Sequence, residues 1–335
     1  MKKLTSVLLA ASLISVMAGC SSSAAPSGSE TDSDKQVYRV AVIKQLDHAS
    51  LDEIANAITA ELDVLAKENN VDIVYTVDSG QNDPTTLQQY ASTYVGENVN
   101  AVVPIATLAA QTMAAGVEGT DIPVVFAAIS DPEAAGLTGI ENVTGTSDAL
   151  NTNQIMDMMF ALEPDIKTVG LLYSQSEKNS EKPIADAKAY LDGKGIAYVE
   201  KTGNTNDEVM QAVSALVAAD VDVVFTPTDN VVMATELSIA DTLAEAGIAH
   251  YTGADSFVRN GAFTTCGVNY TELGKKTADL VYEVLTNGTG NVEDYYLMDG
   301  GIVTVNTETA AKLGLDYKDV FAKFGELVEV TTTED

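Results

Sequence analysis

The sequence predicts an α/β protein of two doubly wound lobes, each built on a parallel sheet and joined by a hinge. From residue 37 onward, short β-rich runs alternate with longer helical stretches, the pattern of parallel sheets with crossover helices. The same order of elements occurs twice, at an offset of about 120–130 residues. With 335 residues, 46% of them hydrophobic, the chain is long enough for about two domains with buried cores.

The N-terminus has the features of an export signal. Lys2 and Lys3 precede an apolar run over 4–18, which is shorter than the roughly 20 apolar residues that span a membrane. The run ends in Met-Ala-Gly-Cys at Cys20, which resembles a bacterial lipobox with Met where Leu is usual. We therefore expect residues 1–19 to be removed as a signal peptide and Cys20 to carry a lipid.

A tether and two repeats follow. Residues 20–36 have the Ser-rich, polar composition of a flexible tether. The first repeat is predicted to contain strands at 37–44, 71–77, 101–105 and 123–128, with helices at 51–69, 84–96 and 106–116. The second is predicted to contain strands at 168–173, 196–200, 221–226 and 248–252, with helices at 182–193, 206–218 and 231–246.

The last part of the chain is too short for a third lobe. It contains a predicted helix at 271–286 and strand-like stretches near 295–305, which we expect to cross back and complete the two lobes. The lobes are then discontinuous in sequence. We expect the first to comprise 37–147 plus about 256–290, and the second 148–255 plus about 291–335.

Composition and motifs exclude several classes of function. The chain has 49 Asp and Glu against 18 Lys and Arg, and its formal charge of −31 opposes binding to nucleic acid. Two histidines and two cysteines leave little material for a metal site or disulfides, and Cys266 is expected to lie in a core. The motifs GxxxxGK(S/T), GxSxG, HExxH and strand-linked GxGxxG are absent, so we expect neither an enzyme nor a cofactor.

Polar residues cluster in the loops that follow the predicted strands. In open parallel sheets, ligands bind beyond the carboxyl ends of strands, where helix N-termini present free N–H groups. The candidate ligand residues in these loops are His48, Thr107, Asp131, Ser176, Asn179, Ser180, Thr228, Asn230 and Asp255. A helix cap or a turn is the alternative for each, and a cap is the favoured interpretation of Ser50. Because Asp255 has no obvious cationic neighbour in sequence, it is the predicted partner of a ligand ammonium.

Five ordered segments resemble those of bacterial ABC-transporter substrate-binding lipoproteins, of the group that includes tryptophan- and tyrosine-type binders. They are IPVVFAAISDPEAAGL at 122–137, NVTGTSD at 142–148, YSQSEKNS at 173–180, TPTDN at 226–230 and GADSFVRNGA at 253–262. The resemblance extends over about residues 37–320. It implies a fold like that of type I periplasmic binding proteins, in which two lobes close over a solute around a hinge.

The resemblance also implies where ligand contacts lie. Carried over to this chain, it implies contacts at Thr107, Asn179, Ser180, Thr228, Asn230 and Asp255. Asp148 is either a contact or part of the hinge. The first loop reads KQLDHASLDE where many members have a Glu-His-Pro-like stretch, which leaves the role of His48 open.

The implied function is that of an extracytoplasmic, lipid-anchored protein that captures a small solute and delivers it to an ABC permease. An amino acid, with an aromatic side chain favoured, is the expected solute. The expected partners are that solute, the permease, and the membrane through the lipid alone, and the protein is expected to be a monomer. A sensory module that hands its ligand to a signalling receptor is the alternative.

Replacing Cys20 with Ser tests the predicted lipid anchor. Without the thiol no lipid is attached, so we expect the variant to appear as soluble or uncleaved protein in cell fractionation. Cleaved protein that stays in the membrane fraction would contradict the prediction.

Overall fold

The computed structural model describes residues 35–333. The predicted signal peptide, the lipid site at Cys20 and nearly all of the tether lie outside these residues. Within the described part of the chain, no helix is both long enough and apolar enough to cross a membrane. The described residues form two sheets with helices packed on their faces, as the alternation of strands and helices predicts.

The first repeat supplies most of the first sheet. Its elements are β1 (Val37–Lys44), α1 (Ala49–Glu68), β2 (Asp72–Ser79), α2 (Pro84–Glu97), β3 (Ala101–Ile105), α3 (Thr107–Gly116), β4 (Val124–Phe126) and β5 (Val143–Ser147). The second repeat contains α4 (Thr152–Leu162), β6 (Thr168–Tyr173), α5 (Lys178–Lys194), β7 (Ala197–Thr202), α6 (Asn206–Ala218), β8 (Val223–Thr226), α7 (Asn230–Met233), α8 (Glu236–Glu245), β9 (Ala249–Thr252), α9 (Asp255–Arg259) and β10 (Thr264–Gly267).

The last part of the chain, from residue 270, completes both lobes. It contains α10 (Tyr270–Asn287), β11 (Tyr296–Leu297), β12 (Ile302–Asn306), α11 (Thr307–Leu313), α12 (Lys318–Phe321) and β13 (Glu326–Val330). The strand orders are β11-β5-β4-β3-β1-β2 in the first sheet and β13-β12-β10-β9-β8-β6-β7 in the second. Neighbouring strands are parallel, except that β12 pairs antiparallel with β10.

The pairing shows where the chain passes between the sheets. Because β10 pairs with β9, residues near 256–267 belong with the second sheet, and the return to the first sheet follows Gly267. Because β11 pairs with β5, the final crossing follows Leu297. These positions are later than the predicted boundaries at about 256 and 291. We therefore propose lobes of 37–147 plus 269–298 and of 148–268 plus 299–333.

Two helices differ most from their predicted bounds. The helix predicted at 231–246 is interrupted between α7 and α8 at Thr235, whose hydroxyl lies 3.1 Å from the carbonyl oxygen of Val231 and 3.1 Å from Oδ1 of Asn206. A threonine hydroxyl that bonds to the backbone competes with helical geometry. Helix α5 begins at Lys178 rather than 182, which puts Asn179 and Ser180 in its first turn.

Helices α1 and α10 pack closely against each other in the first lobe. A Cβ atom added at Gly274 of α10 would lie 2.5 Å from Cβ of Ala57 and 2.8 Å from the carbonyl oxygen of Ile54. Both neighbours belong to α1, and the carbonyl is part of its backbone. The absence of a side chain at this position therefore sets the distance between the two helices.

Replacing Gly274 with Ala tests this packing. Because α1 has no room to accept a methyl group, we expect the free energy of unfolding to fall by about 1–3 kcal/mol. Gly193 in α5 is the matched control, since a Cβ atom there meets nothing within 4 Å. Gly193→Ala should stabilise the helix by about 0.5–1 kcal/mol. Urea unfolding of both variants measures the difference, and equal effects would contradict the proposed tight contact.

Candidate ligand-binding cleft

The loops at the carboxyl ends of the strands enclose a cavity between the two lobes. Its first-lobe wall consists of His48, Ser50, Leu51, Ile54, Ala106, Thr107, Ala128, Ser130 and Tyr270. Its second-lobe wall consists of Asn179, Thr228, Asp229, Asn230, Met233, Ala254 and Phe257, and Asp148 lies at the crossing between the lobes. The cavity volume is about 20 Å³. That is enough for one or two water molecules, so a larger ligand enters only when the lobes move apart.

Two alanines in the cavity wall have backbone conformations that favour glycine. Ala106 has φ 75° and ψ 163°, and Ala128 has φ 56°. Ala106 directly follows β3, and Ala128 lies two residues after the end of β4. At both positions the chain turns towards the cavity. Conformations of this kind in non-glycine residues concentrate at ligand sites.

Asp148 supplies a buried carboxylate to the cavity wall. Its Oδ1 accepts a hydrogen bond from Ser130 Oγ at 2.9 Å, and its Oδ2 accepts one from the hydroxyl of Tyr270 at 3.0 Å. Burial raises the pKa of Asp148, because the charged form loses water. Within residues 35–333, Asp148 forms no ion pair. The cavity therefore contains an anionic group that this part of the chain leaves without a cation.

Asp229 is a second buried carboxylate, but the backbone stabilises it well. It caps α7 by accepting from the N–H groups of Val231 and Val232, at 3.1 and 3.0 Å. Its other oxygen accepts from the N–H of Ser174 and the hydroxyl of Ser180, both at 2.7 Å. Four donors therefore hold the carboxylate of Asp229, and its main role in this geometry is to fix the loop before α7.

Two acceptor atoms of the cavity residues lack a partner within the described chain. Asn179 donates from Nδ2 to the carbonyl oxygen of Thr228 at 2.6 Å, while its Oδ1 is buried and unpaired. His48 places Nε2 3.0 Å from Oδ1 of Asn230, while its Nδ1 is buried and unpaired. Burial lowers the pKa of His48 to about 4, so the ring is neutral at physiological pH. A ligand with N–H groups would satisfy both atoms.

Side chains of the two lobes also bond directly to each other. Ser130 Oγ lies 3.1 Å from Thr228 Oγ1, and the hydroxyls of Ser50 and Ser256 are in hydrogen-bonding contact. Gln45 Nε2 donates to Glu177 Oε1 at 2.8 Å, on the side of the cleft near α3 and α5. These bonds hold the lobes together around the cavity.

Part of the cavity wall is apolar. It consists of Leu51 and Ile54 on α1, Met233 of α7, and Ala254 and Phe257 at α9, which all belong to one hydrophobic cluster. The cavity is therefore lined both by carboxylate, amide and hydroxyl groups and by aliphatic and aromatic side chains. Ligand sites that recognise a small polar group on an apolar body have this arrangement.

The structure brings six of the ten predicted ligand residues to the cavity wall: His48, Thr107, Asp148, Asn179, Thr228 and Asn230. The other four face elsewhere. Ser180 donates to Asp229, Ser176 bonds to Ser174, and Asp131 accepts from the N–H of Ala134 beside a neighbouring groove.

Asp255 is not in the cavity wall, and it has a cationic partner. Its Oδ2 accepts from Nη2 of Arg259 at 2.8 Å, one helical turn later. The expectation that Asp255 lacks a cationic neighbour is therefore wrong, because α9 turns Arg259 back onto it. The interpretation of Ser50 as a helix cap is also wrong, since α1 begins at Ala49 and the Ser50 hydroxyl contacts Ser256.

The sequence pattern did not identify several residues around the cleft. Gln45 and Glu177 pair across 132 residues of sequence, and Tyr270 reaches Asp148 across 122. Gln45 was visible as a polar residue after β1, but nothing in the sequence indicated its partner. The described residues contain no group of three or more His, Cys, Asp or Glu side chains arranged to hold a metal ion.

Comparisons with known proteins agree with this geometry. The family model described as ABC transporter substrate binding protein matches residues 39–327. A tyrosine-binding protein of Clostridioides difficile (strain R20291) is 31% identical over 324 residues, covering 94% of this chain and 93% of that protein.

Solved structures with the same fold include two that are more than 25% identical to this chain. An ABC domain of Streptococcus pneumoniae in complex with L-Trp is 26% identical with a TM-score of 0.79, covering 88% of this chain and 100% of that one. A ligand-free, open substrate-binding protein with adhesive properties from Clostridium difficile is 28% identical with a TM-score of 0.64, covering 88% and 100%.

The family prediction and the two-lobed α/β fold are therefore confirmed. Proteins of this family bind solutes outside the cytoplasm for ABC transporters and are not enzymes. This chain belongs to the ABC transporter substrate-binding protein family.

Proposed function

We propose that this protein binds an L-amino acid with an apolar, preferably aromatic, side chain and delivers it to an ABC permease. The observation that carries the proposal is the buried carboxylate of Asp148, which no cation of the described chain pairs, in a cavity with two unpaired acceptor atoms. A solute that brings an ammonium group supplies the charge and the donors together.

The ammonium of the solute would bind at the polar groups of the cavity wall. Burying a carboxylate without a counter-charge costs free energy. A cationic group beside Asp148 therefore stabilises it more strongly there than the same ion pair would be stabilised in water. Asp148 lies at the crossing and is bonded to Ser130 and Tyr270 of the first lobe, while Asn179 Oδ1 is a further acceptor on the second lobe. An ammonium group held by both would connect the lobes, which is how a solute favours closure.

The carboxylate of the solute would bind at the start of α3. Thr107 is the first residue of this helix and contributes a hydroxyl to the cavity. Helix N-termini favour anions because their first N–H groups lack partners within the helix and carry partial positive charge, although the N–H of Leu108 in α3 already donates to Gln45 Oε1. The side chain of the solute would then lie against Leu51, Ile54, Met233 and Phe257 in the apolar part of the wall.

The relatives support an aromatic amino acid. One is named a tyrosine-binding protein, and one was solved with L-Trp. The TM-score is higher against the L-Trp complex, 0.79, than against the open ligand-free protein, 0.64, although the identities are similar. This difference supports a closed arrangement of lobes in the present structure, from which opening admits the solute.

The cellular setting follows from the family and from the N-terminal sequence. We propose that Cys20 carries a lipid that holds the protein at the outer face of the cell membrane and that residues 20–36 act as a tether. The protein would work as a monomer, and an ABC permease would receive the solute.

Replacing Asp148 with Asn tests the ammonium site. Loss of a charge-assisted partner costs about 2–5 kcal/mol, so we expect calorimetry to show at least 30-fold weaker binding of L-tyrosine. Asp255→Asn is the matched control, because that carboxylate already pairs with Arg259 outside the cavity. Weak binding by the Asp255 variant with normal binding by the Asp148 variant would reverse the assignment. Thermal unfolding checks that both variants are folded.

A disulfide between positions 50 and 256 tests whether the lobes must open. The two serine hydroxyls touch across the cleft, and a disulfide needs Cβ atoms about 3.5–4.5 Å apart. We expect the oxidised Ser50→Cys, Ser256→Cys protein, made in a Cys20→Ser background, to exchange bound L-tyrosine far more slowly than the reduced form. Buried Cys266 should not interfere, because burial raises its pKa to about 11. Equal exchange rates in the two forms would contradict hinge opening.

A further inference from the structure

Glu177 is a buried carboxylate between the lobes that the proposed function does not use. It precedes α5 and is only 4% exposed, and it does not line the cavity. It makes no side-chain bond to cap α5 and no ion pair within the described residues. Burying an ionised carboxylate without a counter-charge costs free energy, so Glu177 depends on hydrogen bonds from neighbouring side chains.

Both oxygens of Glu177 accept hydrogen bonds from amide groups. Gln45 Nε2 of the first lobe donates to Oε1 at 2.8 Å, and Asn230 Nδ2 of the second lobe donates to Oε2 at 2.6 Å. Each amide has donors only on its nitrogen, so an ionised carboxylate makes both amides turn their nitrogen atoms towards it.

The orientation of Gln45 is fixed independently. Its Oε1 accepts from the N–H of Leu108 in the first turn of α3 at 3.0 Å, and its Nε2 also donates to Oδ1 of Asn82 at 3.0 Å. Reversing this amide would lose both bonds. Gln45 also replaces the missing side-chain cap of α3, since Ala106 at the N-cap position has none.

The orientation of Asn230 depends on Glu177 and in turn decides the state of His48. With its nitrogen on Glu177, Asn230 presents Oδ1 to His48 Nε2 at 3.0 Å. An oxygen acceptor requires the proton on Nε2, so the neutral ring carries none on Nδ1. Nδ1 is the buried, unpaired atom of this cavity residue, and in this tautomer it is an acceptor.

The charges around Glu177 agree with this chain of bonds. The side chains that act on Glu177 by hydrogen bonding, Gln45 of the first lobe and Asn230 and Asn179 of the second, are neutral, and the nearby ionisable group is Asp229. Burial first, and repulsion by Asp229 second, raise the pKa of Glu177 to about 7. In its ionised state the carboxylate accepts from both amides.

We propose that Glu177 is a positioning residue that fixes the His48 tautomer, through Asn230, so that the site selects solutes with an N–H donor. This proposal rests on the proposed function, whose solute carries an ammonium group. Glu177 acts on the solute only through His48. Its bond to Gln45 of the first lobe forms when the lobes close, so closure and the orientation of Asn230 depend on the same carboxylate.

Replacing Glu177 with Gln tests the proposal with little change in shape. The new side chain has one acceptor and one donor, so one neighbouring amide must reverse. Gln45 is held by Leu108 and Asn82, whereas Asn230 can reverse if His48 moves its proton to Nδ1. We therefore expect the variant to switch the His48 tautomer and to present a donor to the cavity.

The measurement is the imidazole nitrogen NMR spectrum at pH 8, together with calorimetry using L-tyrosine. The chain has only two histidines, so one further variant assigns their signals. We expect wild-type His48 to be protonated on Nε2, and Glu177→Gln to be protonated on Nδ1 and to bind L-tyrosine at least tenfold more weakly. Glu181→Gln is the control, since it removes the same charge from an exposed position one turn later in α5.

The outcomes separate this proposal from the proposed function. An unchanged tautomer in folded Glu177→Gln protein overturns the positioning role, and so does a switched tautomer with unchanged affinity. If wild-type protein binds no amino acid, the proposed function fails, while the tautomer measurement still decides whether Glu177 controls His48. A loss of affinity in Glu181→Gln as well would attribute the effect to net charge and overturn the proposal.

Discussion

Negative charge buried between the lobes is the constraint on which the cleft depends. Three carboxylates lie there, and each is compensated differently. Asp229 accepts four hydrogen bonds, and Glu177 accepts from two amides, whereas Asp148 accepts from two hydroxyls. Hydroxyls stabilise an anion less than a cation does, so Asp148 has the most to gain from a ligand ammonium.

The geometry of this site depends on strain at the ends of two strands. Ala106 and Ala128 adopt left-handed φ values and line the cavity. The turn at Ala106 starts α3 without a side-chain cap, and Gln45 supplies an acceptor to that helix from another loop. The helix N-terminus next to Thr107 is thereby held by the same residue that bonds to the second lobe. Strain of this kind persists only where surrounding contacts enforce it.

Closure of the lobes and recognition of the solute use the same polar groups. His48 and Asn230 meet across the cleft, as do Ser130 and Thr228. When the lobes part, water satisfies these groups, and when they close, each needs a partner again. A solute with the wrong pattern of donors leaves buried groups unpaired, which penalises closure around it. In the proposed site, selectivity would arise from hydrogen bonding, while the apolar side chains of the cavity wall would contribute affinity.

The repeated α/β order, and the end of each sheet at which the cleft lies, could be predicted from the amino-acid pattern. Residues such as Thr107, Asn179 and Thr228 were predictable because strands of a parallel sheet all end at the same edge. Which polar side chains bond to each other depends on the tertiary structure. Glu177 and Gln45 bond to each other although they are 132 residues apart in sequence, and Tyr270 and Asp148 do so at a separation of 122. Both contacts form because the chain crosses between the lobes. Periodicity records which face of an element is buried, but the partner of a buried polar group depends on how the two lobes pack together.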